Sequence, residues 1–375
     1  MREVAAAVNG FGFGDLVEQI TELDVGNVND TFLVRLAGGD EKIILQRING
    51  QVFQEPVLIM ENLRIISEHV ANRLYRDRTM ADCRWEMVRM YRARDGRDYV
   101  IDDQGGFWRG ISYVADATGY DKVLGPGHAR EAGRALGLFH RLLSDLQPAA
   151  LHDTLPGFHN TPGYLLHYDA IAAASDLQKS SAVRFCAEYI GTKRHRASVL
   201  EDAISSGKLQ LRIMHGDPKI SNILIDNGTG RAVAIIDLDT VKPGLIHYDI
   251  GDCLRSCCNP LGEETEDHDR VAFDLELGRS ILSGYFAEAG LFLTDHDIAY
   301  IYDAAYLLAF ELGLRFFTDY LAGNVYFKTD RREQNLSRAL VQFGLAASIE
   351  KQEGALQRMI ADLAMANHCS NVGEN

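Results

Sequence analysis

Two lobes of α+β character are what the sequence predicts: a small antiparallel β-sheet with one helix, then a larger, mostly helical lobe. Three observations predict it. Residues 20–48 alternate apolar and polar side chains with period two and are cut by polar, glycine-containing turns. After Gly125-Pro126-Gly127 the apolar residues recur at helical spacing, and from Arg270 onward nearly every stretch is compatible with helix. At 375 residues, 46% of them hydrophobic, the chain can bury a core in each lobe.

The first strand runs from Ile20 to Val25 and leads into the polar turn Gly26-Asn27-Val28-Asn29-Asp30. Thr31–Leu36 and Lys42–Ile48 follow as strands joined across Gly38-Gly39-Asp40, so the three form a meander. Pro56 suits the first turn of a helix, which Val57, Met60 and Leu63 or Arg64 continue at helical spacing. Strand-like runs recur at Cys83–Tyr91, Tyr99–Ile101 and Gly110–Val114. In the second part, Ala132, Leu136, Phe139 and Leu143 share one helical face. Residues 164–206 also read as helix, interrupted by the polar Gly191–Arg196. Gln210–Met214, Ile223–Ile225 and Ala232–Ile236 are short strands set close together. The lobes should divide near Val114–Asp121, which gives residues 1–115 and 116–375 as the two domains.

Charge narrows the partners. With 38 Lys and Arg against 53 Asp and Glu, the net charge of −15 repels polyanions, so nucleic acid and anionic membranes are not expected. A nucleotide can still bind locally through backbone N–H groups, one cation and a metal ion. No uninterrupted apolar run is long enough to span a bilayer. Met1–Ile20 lacks the basic and apolar regions of a signal peptide. Cys83, Cys186, Cys253, Cys257, Cys258 and Cys369 form no C-x-x-C pair, which fits thiols in a reducing cytoplasm. A cytoplasmic protein is expected.

The chemistry concentrates in His215-Gly216-Asp217-Pro218-Lys219-Ile220-Ser221-Asn222, followed by the apolar run Ile223-Leu224-Ile225. Ile235-Ile236-Asp237-Leu238-Asp239 comes shortly after. Phosphoryl transfer needs a carboxylate beside the acceptor hydroxyl and hard oxygen ligands for Mg²⁺ near the phosphates. An Asp and an Asn five residues apart on one loop can divide those tasks, and an Asp at the end of the next hairpin completes the metal site. Each residue alone is ordinary turn chemistry. The complete set is not.

These residues resemble the aminoglycoside phosphotransferase and choline kinase family, relatives of the protein kinases, so the two lobes are expected to adopt a protein-kinase-like fold. The resemblance implies ATP and Mg²⁺, with Asp217 as catalytic base and Asn222 and Asp237 as metal ligands. Asp239 is implied as a second metal contact or a substrate-orienting group. His215 is implied as structural, and Asp249 in Tyr248-Asp249-Ile250-Gly251-Asp252 as a brace for the catalytic loop. Asn29 lies in the turn expected over the phosphates. Arg47 is the expected phosphate-gripping cation on the third strand, with Lys42 left open by strand alternation, and Glu61 is its expected partner. Tyr113, Val114 and Ala115 are expected beside the adenine.

Further blocks narrow the resemblance to the subgroup around N-acetylhexosamine 1-kinases, over roughly residues 20–350. They are Leu45-Gln46-Arg47-Ile48-Asn49, Asp237-Leu238-Asp239-Thr240, Gly251-Asp252-Cys253-Leu254-Arg255-Ser256, Arg315-Phe316-Phe317-Thr318-Asp319-Tyr320-Leu321 and Gly323-Asn324-Val325-Tyr326-Phe327-Lys328. The implied acceptor is the anomeric hydroxyl of an amino sugar. Asp239, Arg255, Arg315 and Asp319 are the candidate substrate contacts. Choline, homoserine, methylthioribose and aminoglycosides stay open as acceptors, although Tyr300, Tyr302, Tyr306 and Glu311 are spaced for packing rather than for a cationic cage. A silent nucleotide-binding module has no need to keep Asp217, Asn222 and Asp237 together.

Overall fold

The computed structural model describes residues 2–23, 28–38, 41–77, 83–174 and 180–372. Gly26 and Asn27 of the first turn and Gly39 and Asp40 of the second lie outside the described residues.

The first lobe is built on a five-stranded antiparallel sheet: β1 (Val17–Leu23), β2 (Asp30–Leu36), β3 (Lys42–Ile48), β4 (Val100–Ile101) and β5 (Phe107–Ser112), ordered β1-β2-β3-β5-β4. Successive side chains point to opposite faces, and that parity governs the lobe. Phe32, Val34, Ile43, Leu45 and Trp108 cover one face and pack against Val4, Ala7, Val8 and Phe11. The first three of those partners belong to helix α1 (Arg2–Gly10), which periodicity did not reveal. The opposite face presents Thr31, Ile44, Gln46, Arg109 and Ile111 to a cleft.

Helix α2 (Pro56–Arg76) begins at the expected proline and buries Ile59, Met60, Leu63, Ile66 and Val70. Its buried Asn62 pins it to the second lobe. The amide nitrogen donates to the carbonyls of His152 (2.9 Å) and Val241 (3.1 Å), and the amide oxygen accepts from the His152 N–H (2.8 Å). The expected strand over Cys83–Tyr91 is instead an extended tie. It bonds to Val233 through Glu86 N–H and to Gly110 through Tyr91 N–H, with one isolated bridge at Met90.

The second lobe carries two small sheets among helices. β6 (Ala117–Thr118), β8 (Ile223–Asp226) and β9 (Ala232–Ile235) form one, and β7 (Arg212–Met214) pairs with β10 (Lys242–Gly244) in the other. Helix α3 (Pro126–Leu143) buries Ala132, Leu136, Phe139 and Leu143 on the face its spacing predicts. Next come α4 (Thr161–Ala174), α5 (Ser181–Lys193), α6 (Val199–Ser205), α7 (Ile246–Cys257), α8 (Leu275–Ala289), α9 (Asp295–Ala299), α10 (Ile301–Leu321), α11 (Gln334–Lys351) and α12 (Glu353–Val372). The polar Gly191–Arg196 stretch interrupts the helical region as expected, but only in its second half. α5 continues through Lys193, whose ammonium sits 2.7 Å from Glu350, and a single 3-10 turn follows. Helices α3 and α8 touch backbone to backbone: a Cβ on Gly133 would lie 1.9 Å from the Ile281 carbonyl. That contact fixes His140 and Tyr285, which brace the site. No described helix is long and apolar enough to cross a membrane.

Candidate active site

The catalytic loop starts where β7 ends. Gly216 adopts φ +90°, and a Cβ there would meet the Thr240 backbone and side chain at about 2.9 Å, so only glycine fits. Asp249, in the first turn of α7, holds the loop from beneath. Its carboxylate accepts from the His215 N–H (2.6 Å), the Gly216 N–H (2.7 Å) and His140 Nε2 (2.8 Å). His140 in turn accepts from the Tyr285 hydroxyl (2.9 Å) at Nδ1. Burial alone would raise the Asp249 carboxyl; the hydrogen bonds it accepts, from His140 first and from the His215 N–H, outweigh it and hold the group below the usual carboxylate range.

His215 is wholly buried. Its Nε2–H donates to the Ile236 carbonyl (3.0 Å) and its Nδ1 accepts the Asp217 N–H (3.2 Å), so the imidazole is neutral and orients the loop. Burial pushes its pKa down. Asp217 then projects into the cleft, where Lys219 Nζ donates to it at 2.8 Å. Burial opposes the Lys219 charge, but Asp217 and then Asp237 win and its pKa rises. Asn222 turns its amide nitrogen to the Asp217 carbonyl (2.8 Å) and, more weakly, to its carboxylate (3.3 Å).

Asp237 sits at the end of β9 in a left-handed conformation, φ 64°, which lifts its side chain out of the strand line and into the cleft. Burial first, then the neighbouring charge of Asp239, pushes its pKa up to about 6 against the opposing pull of Lys219. Asp239 is buried in the second lobe and reaches across to the first: Asn29 Nδ2 donates to it at 2.6 Å, and Arg109 Nη1 lies 2.5 Å away. The cleft between the lobes has a volume of about 660 Å³. Asp217, Lys219, Asn222, Asp237 and Asp239 line it from below, and Asn29, Gln46, Arg109 and Tyr113 from above.

Among the described residues no three His, Cys, Asp or Glu side chains form a metal cage of the protein's own. Mg²⁺ does not require one: it takes one or two carboxylates and completes its shell with phosphate oxygens and water. Asp237, a carboxylate crowded by Asp239 in a buried position, and the amide oxygen of Asn222 are hard donors that fit such an ion.

Six expected residues thus share the cleft with Asp217: Asn29, Tyr113, Val114, Asn222, Asp237 and Asp239. Others lie elsewhere, each for a physical reason. Arg47 has the parity of Ile43 and Leu45, so it faces α1, paired with Asp30 (2.6 Å) and Glu3 (3.0 Å). Lys42 lies over the Tyr113 ring, 5.0 Å from its centroid. Glu61 has no cation from β3; it pairs with His152 at 2.9 Å. Ala115 is off the cleft wall, its carbonyl taken by Arg84 at 2.6 Å. Asp319 is not open to a substrate: it accepts from the backbone N–H groups of Val325, Tyr326 and Phe327 and from Asn335 Nδ2, all within 3.0 Å. It is a clamp on the loop after α10. Arg315 lies among the rings of Phe158, Tyr164, Tyr326 and Phe327, at 5.0–5.8 Å. Arg255, held by Asp252 (2.8 Å) and Glu263 (3.1 Å), lines a second cavity of about 240 Å³. That cavity shares Asp121, Lys219 and Ser221 with the cleft.

Sequence reasoning missed four contributors. Lys219 is two residues from Asp217 in the same motif, and that adjacency was the available signal. Arg109 and Gln46 come from inside apolar strands. His159 (φ 63°) contacts the Glu311 carboxylate (2.8 Å) and the Gly216 carbonyl (2.9 Å), so both ring nitrogens donate and the ring is a cation. Burial lowers its pKa, but the charge of Glu311 outweighs that and leaves it raised. His159 ties α10 to the catalytic loop.

Solved structures share this architecture along nearly the whole chain. An aminoglycoside phosphotransferase from Alicyclobacillus acidocaldarius matches with a TM-score of 0.59 at 14% identity, covering 97% of this chain and 96% of its own. A choline kinase from Cryptosporidium parvum matches at 0.57 and 13% identity, covering 92% and 93%. An ethanolamine kinase from Plasmodium vivax matches at 0.54 and 14% identity, covering 87% and 82%. The fold is therefore the kinase-like α+β fold with an antiparallel first lobe and a helical second lobe. The sequence profile of the phosphotransferase enzyme family spans residues 19–281, which include the entire cleft lining and the Asp249 brace. With most of its length in that match, the chain belongs to the phosphotransferase enzyme family.

Proposed function

We propose that the protein is an ATP- and Mg²⁺-dependent kinase of a small neutral acceptor, the anomeric hydroxyl of an N-acetylhexosamine being the best fit. One observation carries the kinase reading: Asp217, Asn222 and Asp237 line one wall of an interlobe cleft, with Lys219 hydrogen-bonded to Asp217. In the reaction, the acceptor oxygen bonds to the γ-phosphorus as the bond to the bridging β–γ oxygen breaks. The acceptor's proton passes to Asp217, and ADP leaves. Lys219 fixes the Asp217 carboxylate and adds positive charge where the phosphoryl group moves. Asn222 and Asp237 are the side chains to hold Mg²⁺, which when bound neutralises phosphate charge. An anomeric hydroxyl is more acidic than an ordinary alcohol, so the proton moves late and positioning does most of the work.

Two features favour a neutral acceptor over an amine. The aromatic enclosure in the second lobe, of a kind that takes cationic ligands, is already filled by the chain's own Arg315. In the second cavity, Asn259 Oδ1 and Gln342 Oε1 are buried without a hydrogen-bond partner among the described residues. Hydroxyl or amide N–H donors on an entering acceptor suit both. The structural likeness to choline and ethanolamine kinases makes an amino alcohol the second reading.

ADP release with a panel of N-acetylhexosamines, free hexoses, choline, ethanolamine, homoserine and an aminoglycoside separates the two. Turnover is expected with an N-acetylhexosamine. Turnover with choline or ethanolamine alone would overturn the acceptor assignment and leave the kinase reading standing. Asp237→Ala is expected to weaken Mg²⁺-dependent nucleotide binding by about tenfold or more, while binding without Mg²⁺ changes little. Unchanged Mg²⁺ dependence in calorimetry rules out Asp237 as a metal ligand.

A further inference from the structure

We propose that Arg109 of β5, positioned by Gln46 of β3, is the side chain that grips the phosphates of the nucleotide. This rests on the reading of the cleft as a nucleoside triphosphate site. Strand β3 brings no charge into the cleft, because its cleft-facing side chains there are Ile44 and Gln46 while Arg47 faces α1. Among the described residues that line the cleft, Arg109 and Lys219 are the cations. Lys219 is committed to Asp217. Arg109 remains.

Its setting is that of a preorganised anion grip. The guanidinium is 2% exposed, and Nε and Nη2 both donate to Gln46 Oε1, at 2.9 and 2.7 Å. Gln46 is itself fixed: its amide nitrogen donates to Thr31 Oγ1 at 3.1 Å, so the oxygen must face Arg109. The free edge of the guanidinium is thereby turned toward Asp239. Arg109 Nη1 and Asp239 Oδ1 approach to 2.5 Å, yet neither atom has a hydrogen bond of acceptable geometry. The pair is close in charge but poorly aligned, and a phosphate oxygen can take the place of the carboxylate. A planar guanidinium suits two oxygens of one phosphate group. Asp239 also accepts from Asn29 on the first-lobe turn, so one carboxylate meets both groups that would face the phosphates.

The test is calorimetric binding of adenosine, ADP and a non-hydrolysable ATP analogue, with melting temperature followed for every variant. Arg109→Met is expected to weaken ADP and the analogue by about 10–100-fold, the worth of charge-assisted hydrogen bonds, and to leave adenosine within about twofold. Adding Gln46→Lys to Arg109→Met returns a cation to the cleft from β3 and is expected to recover most of the loss. Arg47→Met should change none of the three affinities. Should Arg109→Met fail to fold, Arg109→Lys keeps the charge without the fork and is expected to weaken ADP selectively by a smaller factor. Retained ADP affinity, or an equal loss of adenosine and ADP in a folded variant, overturns the assignment. Wild-type protein that binds neither nucleotide would remove the reading of the cleft itself, a result distinct from failure of Arg109 alone.

Discussion

Asp217→Asn is expected to lower kcat by about a thousandfold or more, while Mg²⁺-nucleotide affinity changes less than about threefold. The substitution is isosteric, and the loop does not depend on the carboxylate for its shape. The Asp217 N–H still meets His215 Nδ1, its carbonyl still accepts from Asn222, and Asp249 still holds the two preceding amides. What disappears is the oxygen that can take the acceptor's proton. The remaining amide oxygen can accept from Lys219, so the ammonium stays in place. Pre-steady-state transfer measured beside equilibrium binding separates the two quantities. A variant with near-normal turnover and intact fold would remove Asp217 from the base role. A variant that loses turnover and nucleotide affinity together would instead point to a disordered cleft.

The catalytic loop was legible because its chemistry is local. His215, Asp217 and Asn222 fall within eight residues, and Asp237 ends the next hairpin, so one short stretch of chain fixes their mutual positions. The β3 cation was not legible for a specific reason. Ile43-Ile44-Leu45 is apolar at three consecutive positions, so alternation does not reveal which face is the cleft, and nothing in it marks Arg47 as lying on the face opposite. Arg109 lies in Phe107-Trp108-Arg109-Gly110, and its charge is tolerable there only because Gln46 and Asp239 meet it from distant parts of the chain. Glu61 and Asn62 are adjacent on α2, yet it is the neutral Asn62 that docks the helix while Glu61 pairs with His152. Asp319, read from the sequence, is a polar group available to a ligand. The loop at 325–327 returns to consume its oxygens, and nothing in the helical spacing of α10 announces that return. Helix α1 is only nine residues long, too short for a periodic signal, and the sheet face it covers supplies its stability.

Asp249→Ala is expected to cost about 3–5 kcal/mol of stability, since removing one partner of a buried charged network leaves the others unsatisfied. The carboxylate has no solvent exposure, and its three donors are two backbone N–H groups and His140 Nε2. Water has no ready route to replace it beneath the loop. The loss should appear as a lower denaturant midpoint. It should also carry a pH signature that a simple cavity lacks. The Asp249 carboxyl is held below its ordinary value, so its contribution is fully present above the unfolded carboxylate pKa of about 4 and fades as pH falls through the depressed native value. The stability gap between wild type and Asp249→Ala should therefore be widest near neutral pH and narrow in acid. A gap of similar size that stays constant with pH would show that lost packing, rather than the charge on Asp249, holds His215 and Gly216 in place. In that case the brace beneath the catalytic loop would be steric, and Asp249→Asn should be nearly as stable as wild type.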